Sequence, residues 1–398
     1  MRIKEIRAER IRDSRNQETI QVFVKTELGT FSASSPSGKS TGKYEVAAFP
    51  KDVRTSVGMI NALSGKIKEV EIERFNDLAE IEKLADRRKI GANALFALEA
   101  GILKALAYSE RKEVWQLINP EAKRMPFPVG NIIGGGMHTP LTNGTRADFQ
   151  EFLIIPKLGN FIDNVKVMKK AHEIAGEKLR MRKSRGALND EGAWSTGLNN
   201  EECIRILEET RKELEQESEG DVYTGIDVAA SSFYAPKLYH YKNPERLLDL
   251  KEQEDYVSEL ADKFEIFYIE DAVDENDFSG FRKFRDKNAG RMIVGDDLTV
   301  SNEERFLKAL KEKAIDAVIL KPNQTGSLLE IKKIVYLAKK YNIAIVMSHR
   351  SGETTDSILA DLAFGFQADY FKAGVMGKER DAKLDRMIEI QKLMDKRN

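Results

Sequence analysis

Ala317-Val318-Ile319-Leu320-Lys321-Pro322-Asn323 is a run of four apolar residues closed by a lysine. Lysine is rarely buried unless it is paired or put to use, so a lysine at the end of a buried strand marks an ion pair or a reaction. Other strand-like runs close in the same way. Asp227 follows Tyr223-Thr224-Gly225-Ile226, Glu270 follows Ile266-Phe267-Tyr268-Ile269, Asp296 follows Met292-Ile293-Val294-Gly295, and His349 and Lys372 close two more. The ends Glu270, Asp296, Lys321, His349 and Lys372 recur about every 25 residues, the length of one βα unit. Helical patterns fill the intervals at 244–263, 302–313, 327–340, 354–366 and 379–395. Alternation over six strands predicts an α/β fold with a parallel sheet. Polar groups on so many successive strand ends converge on one point only if the strands close into a ring, which favours a TIM-like (β/α)8 barrel over an open doubly wound sheet.

Upstream, the organisation differs. Residues 19–26 are β-branched and aromatic, Gly29 marks a turn and 30–34 form a shorter strand. Helical patterns follow at 53–70, 75–86 and 91–109. The last is apolar on nearly every side, so it must be covered all round. The pattern switches near Lys123-Arg124-Met125-Pro126. The expected division is therefore 1–124, a smaller N-terminal α+β capping domain of a three-stranded meander plus helices, and 125–398, the barrel carrying the active site. The 398 residues exceed the roughly 250 to 300 at which single cores stop growing, which also favours two domains.

Composition removes several functions. The 64 basic and 65 acidic residues leave a net charge of −1, well mixed, so no field draws in nucleic acid. Cys203 is the sole cysteine, which forbids an internal disulfide, and no cation nearby in sequence lowers its pKa for nucleophilic work. The start of the chain has no apolar signal core, and nowhere do about 18 apolar residues run together. A cytoplasmic protein without a membrane span is expected.

The strand ends carry the chemistry. Asp227, Glu270 and Asp296 make a hard oxygen site that suits Mg²⁺, whereas His and Cys are too few and wrongly spaced for zinc. Singly, each acid would be an ordinary helix cap or surface charge; matching positions on three strands set them apart. Lys321 and Lys372 face the same cluster. A nearby cation lowers an amine's pKa and leaves a neutral base, which suits removal of a proton α to a carboxylate held by metal. The plainer alternative is that both lysines only pair with barrel acids. Gly38-Lys39-Ser40 looks like the tail of a phosphate-binding P-loop, but the glycine such a loop needs upstream is Ala33 here. Gly134-Gly135-Gly136 lacks the rest of a dinucleotide fingerprint and reads as a loop carrying His138. His172 lies on a helical stripe with Phe161, Val165 and Met168 and reads as packing; His240 reads as structural.

Taken in order, Asp13-Ser14-Arg15, Pro36-Ser37-Gly38-Lys39-Ser40-Thr41-Gly42, Gly91-Ala92-Asn93-Ala94, Gln150-Glu151-Phe152, Asp190-Glu191-Gly192, Asp227-Val228-Ala229, Ile269-Glu270-Asp271, Gly295-Asp296-Asp297-Leu298-Thr299-Val300 and Ser348-His349-Arg350-Ser351-Gly352-Glu353 resemble the motifs of the enolase family over nearly the whole chain. The resemblance implies a barrel of the enolase type and a lyase (phosphopyruvate hydratase) that interconverts 2-phosphoglycerate and phosphoenolpyruvate. Sites of this superfamily use a Lys or His base with one or two Mg²⁺ ions. It implies that Asp227, Glu270 and Asp296 hold a first Mg²⁺ and that Ser40 joins a second one arriving with substrate. Lys321 would be the base at C2, and Glu191, supported by Glu151, the acid at the C3 hydroxyl. Arg350 and Ser351 would hold the phosphate of a phosphorylated hydroxy acid, while His138, His349, Gln150 and Lys372 would position substrate. A homodimer or an assembly of dimers is also implied. The chain departs from the family pattern at Asn16-Gln17-Glu18, Lys39, Met137, Ala193-Trp194-Ser195-Thr196 and Ala373 to Lys378. Those changes keep two alternatives open: a paralogue dehydrating a related acid, and a weakly active scaffold or binding protein.

Overall fold

The computed structural model describes residues 1–39, 43–217 and 220–396. The chain begins with an antiparallel meander of β1 (Glu5–Arg12), β2 (Glu18–Thr26) and β3 (Gly29–Ser34). Alternation along β2 puts Ile20, Val22 and Val24 on one face, where all three are fully buried. The helix Ala92–Ser109 packs on that face and approaches so closely that a side chain on Gly101 would meet Val24 at 3.0 Å. Its opposite side is tied to the barrel. Asn323 donates to Asn93 Oδ1 at 3.0 Å, and the backbone N–H of Leu328 donates to Glu99 Oε2 at 2.7 Å. The all-round apolar pattern is thus explained by a helix covered on two sides.

Beyond it come β4 (Phe127–Pro128), β5 (Gly130–Gly134), β6 (Glu151–Lys157), β7 (Arg185–Leu188), β8 (Trp194–Thr196) and β9 (Asp221–Asp227). A small hairpin, β10 (Tyr239–Lys242) with β11 (Glu245–Leu248), is followed by β12 (Tyr268–Glu270), β13 (Met292–Gly295), β14 (Ala317–Leu320), β15 (Ala344–Ser348) and β16 (Tyr370–Lys372). The main sheet runs β4-β16-β15-β14-β13-β12-β9-β6-β5, with β8 and β7 as an outer extension. Because β4 pairs with β16 while β5, one residue further along the same strand, pairs with β6, the sheet closes on itself. The ring is parallel except for β6, which is antiparallel to both β5 and β9.

The period of two along each strand explains what points inward. Ala317 and Ile319 belong to the inner barrel core with Val129, Leu153, Tyr268, Val294, Val346 and Tyr370, whereas Val318 and Leu320 belong to the larger core under the helices. Lys321 shares the parity of Ala317 and Ile319, so it continues the inward row. The same rule carries Asn131, Glu151, Asp227, Glu270, Asp296 and Lys372 inward. At the other end of the ring, Lys157 closes the antiparallel β6. Its ammonium lies 4.5 to 5.5 Å from the ring centroids of Phe127, Tyr223, Phe267 and Tyr370, a cation–π plug at the barrel floor. Burial pushes that ammonium below its ordinary pKa.

Some helix bounds differ from expectation: 354–366 is helical only over Ile358–Gly365, and 75–86 is a 3₁₀ turn (Phe75–Asp77) followed by a helix over Leu78–Leu84. Residues 244–263 do not form one helix: 245–248 pair with β10, and the helix is Leu250–Lys263. Asp249 caps it, accepting from the Glu252 N–H at 2.9 Å while Glu252 accepts from the Asp249 N–H at 2.8 Å. That reciprocal capping box, Asp-x-x-Glu, was the start signal in the sequence.

Asp356 ties three segments together. It accepts from Lys104 Nζ through both oxygens at 2.8 Å, from the Ser34 N–H at 3.0 Å and from the Ile358 N–H at 3.0 Å. Burial alone would raise its pKa, but Lys104 and these hydrogen bonds hold it below the usual aspartate value. A depressed carboxylate stabilises the fold above its unfolded pKa, and that contribution is lost as pH falls through the folded value. Asp356→Asn should cost about 2 to 3 kcal/mol near pH 7, with the gap to wild type shrinking below about pH 4. Urea titrations at several pH values measure this; a gap that stays constant into acid would exclude the ion pair as its source.

Candidate active site

Register assembles the acids. Glu151, the first residue of the antiparallel β6, pairs with Asp227 at the end of β9, and Asp227 pairs with Glu270 at the end of β12. Three carboxylates therefore stand side by side at the C-terminal mouth of the ring. Lys372 Nζ reaches all three, at 2.5 Å from Glu151, 2.8 Å from Glu270 and 3.9 Å from Asp227. Burial would lower this ammonium, yet Glu151 and Glu270 push it well above its ordinary value. Asp227 is raised by burial and by the charge of Glu270.

Ligand atoms of Glu151, Asp227 and Glu270 lie within 4.8 Å of one another, and Asp271, Asp296 and Asp297 form a second such set. The expected trio of Asp227, Glu270 and Asp296 is split between the two. Asp296 lies one strand further round, its Oδ2 engaged by Lys321 Nζ and its Oδ1 buried without a partner. An all-oxygen, anionic, buried donor set with one orphaned carboxylate oxygen fits a hard divalent cation. Asp271, which sequence reasoning quoted only as part of a motif, positions this loop: it accepts from the backbone N–H of Asp296 at 3.1 Å and of Asp297 at 2.7 Å.

Lys321 is largely buried. Burial would lower its pKa, but Asp296 reverses the effect and holds the ammonium protonated, above its ordinary value. The expectation of a neutral amine therefore depends on Asp296's charge being taken up by something else. The backbone N–H of Lys321 donates to Ser301 Oγ at 2.8 Å, fixing the strand end.

Across the cleft, Glu191 Oε1 lies 3.3 Å from His138 Nδ1. Asn131 Nδ2 donates to Glu151 Oε1 at 3.2 Å and to Glu191 Oε2 at 3.3 Å. Burial would raise Glu191, but His138 and Glu151 hold it well below the carboxylate range, whereas burial pushes Glu151 well above it. The two acids are therefore pushed in opposite directions, Glu191 down and Glu151 up. Asn131 was missed by the sequence reading; a polar residue at an inward position of Val129-Gly130-Asn131-Ile132-Ile133 was its signal. His172 proves to be more than packing. Its Nε2 lies 2.9 Å from the Gly192 carbonyl, and its ring stacks on Trp194 at 4.9 Å, which steadies the Glu191 loop.

Elsewhere on the cleft wall, Arg350 reaches Glu45 through two nitrogens at 3.0 and 3.2 Å, and Ser351 Oγ accepts from the Lys39 N–H at 2.9 Å. Arg380, also missed, is buried and donates to the carbonyls of Arg350, Ser351 and Asp190. Gly352 is required by close approach, since a Cβ there would sit 2.1 Å from Asp13 Oδ2. Gln150 Nε2 donates to Asp227 at 2.9 Å, and burial keeps His349 well below its usual value and hence neutral. All the expected site residues line one cleft except Glu270, which is fully buried, and Ser40, which lies outside the described residues.

A closed α/β ring with buried acids and lysines converging at its mouth defines a barrel enzyme of acid–base chemistry. Comparison with known proteins narrows the class. Residues 3–118 match the family model described as "Enolase, N-terminal domain", and 122–397 match "Enolase, C-terminal TIM barrel domain". The chain is 36% identical over 399 residues to the enolase of Methanocorpusculum labreanum, covering 98% of each chain. It is 34% identical over 404 residues to that of Thermoplasma acidophilum, again 98% of each, and 35% over 402 residues to that of Archaeoglobus fulgidus, 100% of this chain and 98% of the other. The chain belongs to the enolase family.

Proposed function

We infer that the chain is a lyase, phosphopyruvate hydratase, which interconverts 2-phosphoglycerate and phosphoenolpyruvate plus water. The observation that carries the reading is the convergence on one cleft of a hard-cation acid set, an amine base and an Arg–Ser anion subsite. Asp227, Glu270 and Asp296 are the proposed ligands of Mg²⁺, which when bound supplies a Lewis acid for the substrate carboxylate. A second ion, joined by Ser40 when substrate arrives, is proposed from the Ser40 motif alone.

Lys321 takes the C2 proton as a free amine. The charge that keeps it protonated is that of Asp296, one of the proposed ligands, so proton affinity and cation binding are coupled at one carboxylate. The Glu151–Glu191 pair holds the proton that Glu191 delivers to the leaving C3 hydroxyl. Arg350 and Ser351 bind the phosphoryl group, and Lys372, His138, His349 and Gln150 orient the acid. For the chain as a whole, division into 1–124 and 125–398, a cytoplasmic location and a homodimer or assembly of dimers are proposed. The separate N- and C-terminal matches support the first. Among the described residues no helix is long and apolar enough to cross a membrane; cell fractionation tests the second and light scattering the third.

Adding 2-phosphoglycerate with Mg²⁺ should produce growth of ultraviolet absorbance from the enol product, abolished by chelator and restored by excess Mg²⁺. Turnover confined to other hydroxy acids would assign the chain to a different dehydration.

A further inference from the structure

Lys39 differs from every other cation lining the cleft. Lys321, Lys372 and Arg350 have side chains 17%, 5% and 5% exposed, each engaged by a buried carboxylate. The Lys39 side chain is 41% exposed, and it pairs at 3.0 Å with Asp190, itself 33% exposed. An exposed pair of this kind is weak, and a lysine stem is flexible, so Lys39 is the cation most easily redirected. Its root is nonetheless fixed beside the anion subsite by its own N–H, which donates to Ser351 Oγ at 2.9 Å. A phosphoryl ester carries about −1.5 to −2 charge near pH 7, whereas the Arg350 guanidinium is already matched by Glu45. Lys39 is thus placed to add positive charge at this end of the cleft.

We propose that Lys39 is a substrate-binding residue of this chain, which leaves Asp190 to pair with the phosphoryl group beside Ser351, Asp190 being the anion that competes for it. This rests on the reading of 2-phosphoglycerate as substrate. It also gives a use to the Gly38-Lys39-Ser40 run: the loop is no P-loop, yet its lysine seeks phosphate. The opposing view makes the pair a fixed tie between the 36–39 and 189–192 segments.

Kinetics with 2-phosphoglycerate and calorimetric titration with inorganic phosphate, both with Mg²⁺, decide between them for wild type, Lys39→Met, Asp190→Asn and the double variant. Lys39→Met should raise KM roughly tenfold, weaken phosphate binding in parallel and move kcat far less. Asp190→Asn should lower KM about two- to threefold, by releasing a competing surface pair, and the double variant should behave like Lys39→Met. Unchanged KM and phosphate affinity in Lys39→Met would overturn the proposal. So would equal damage from both single changes, the result a fixed tie requires. A wild type that binds phosphate in a Lys39-dependent way without turning over 2-phosphoglycerate would sink the functional reading and leave Lys39 as an anion-binding residue.

Discussion

Lys321→Ala is expected to cut turnover of 2-phosphoglycerate by roughly a thousandfold or more, the scale of a positioned general base. The change removes the amine at the inward end of β14 and leaves the acid set in place. Calorimetry should therefore still register Mg²⁺ binding, and more tightly than in wild type, because Asp296 no longer has an ammonium as its partner. The sharper readout is exchange of the C2 proton with deuterated solvent, which reports proton removal without requiring loss of water. Exchange should vanish with turnover. Wild-type exchange in the variant would mean that another group, with Lys372 the nearest amine candidate, takes the proton.

Glu191→Gln should separate the two halves of the reaction. Glutamine preserves the shape and can keep the contact with Asn131, but it cannot deliver a proton to the leaving hydroxyl. Net dehydration should fall by about a hundred- to ten-thousandfold, while C2 exchange persists because Lys321 is untouched. Burial is the main cause that raises Glu151, and losing the carboxylate removes one of the neighbouring charges that add to it, so Glu151 should titrate lower in the variant. Loss of exchange together with dehydration would show that Glu191 governs binding or the base, not a separate acid step.

Much of the barrel was legible because its inward row follows a period of two. Ala317, Ile319 and Lys321 share one parity, as do Met292, Val294 and Asp296, or Tyr268 and Glu270. A polar residue that breaks an apolar row at a strand end can be found without coordinates. The same logic would have found Asn131, whose amide bridges Glu151 and Glu191. The helix starting at Leu250 was misplaced because residues 245–248 gain more from pairing with β10 than from one further helical turn, a tertiary contact that local pattern does not carry.

Other features depend on register and direction across distant segments. Nothing local states that β6 runs against its neighbours, yet that reversal brings Glu151 beside Asp227 at the mouth of the ring. Nothing local pairs Lys39 with Asp190, buries Arg380 under three carbonyls or sets His172 beneath the Glu191 loop. The sequence by itself determined the ring, the chemical types at its mouth and the family, since strand period and motif order are properties of the chain. Only the tertiary structure decided which charges meet. Ion-pair partners and protonation depend on distances and burial shared by residues far apart in sequence, and for that reason Glu151 and Glu191 are pushed in opposite directions and Asp296 raises Lys321.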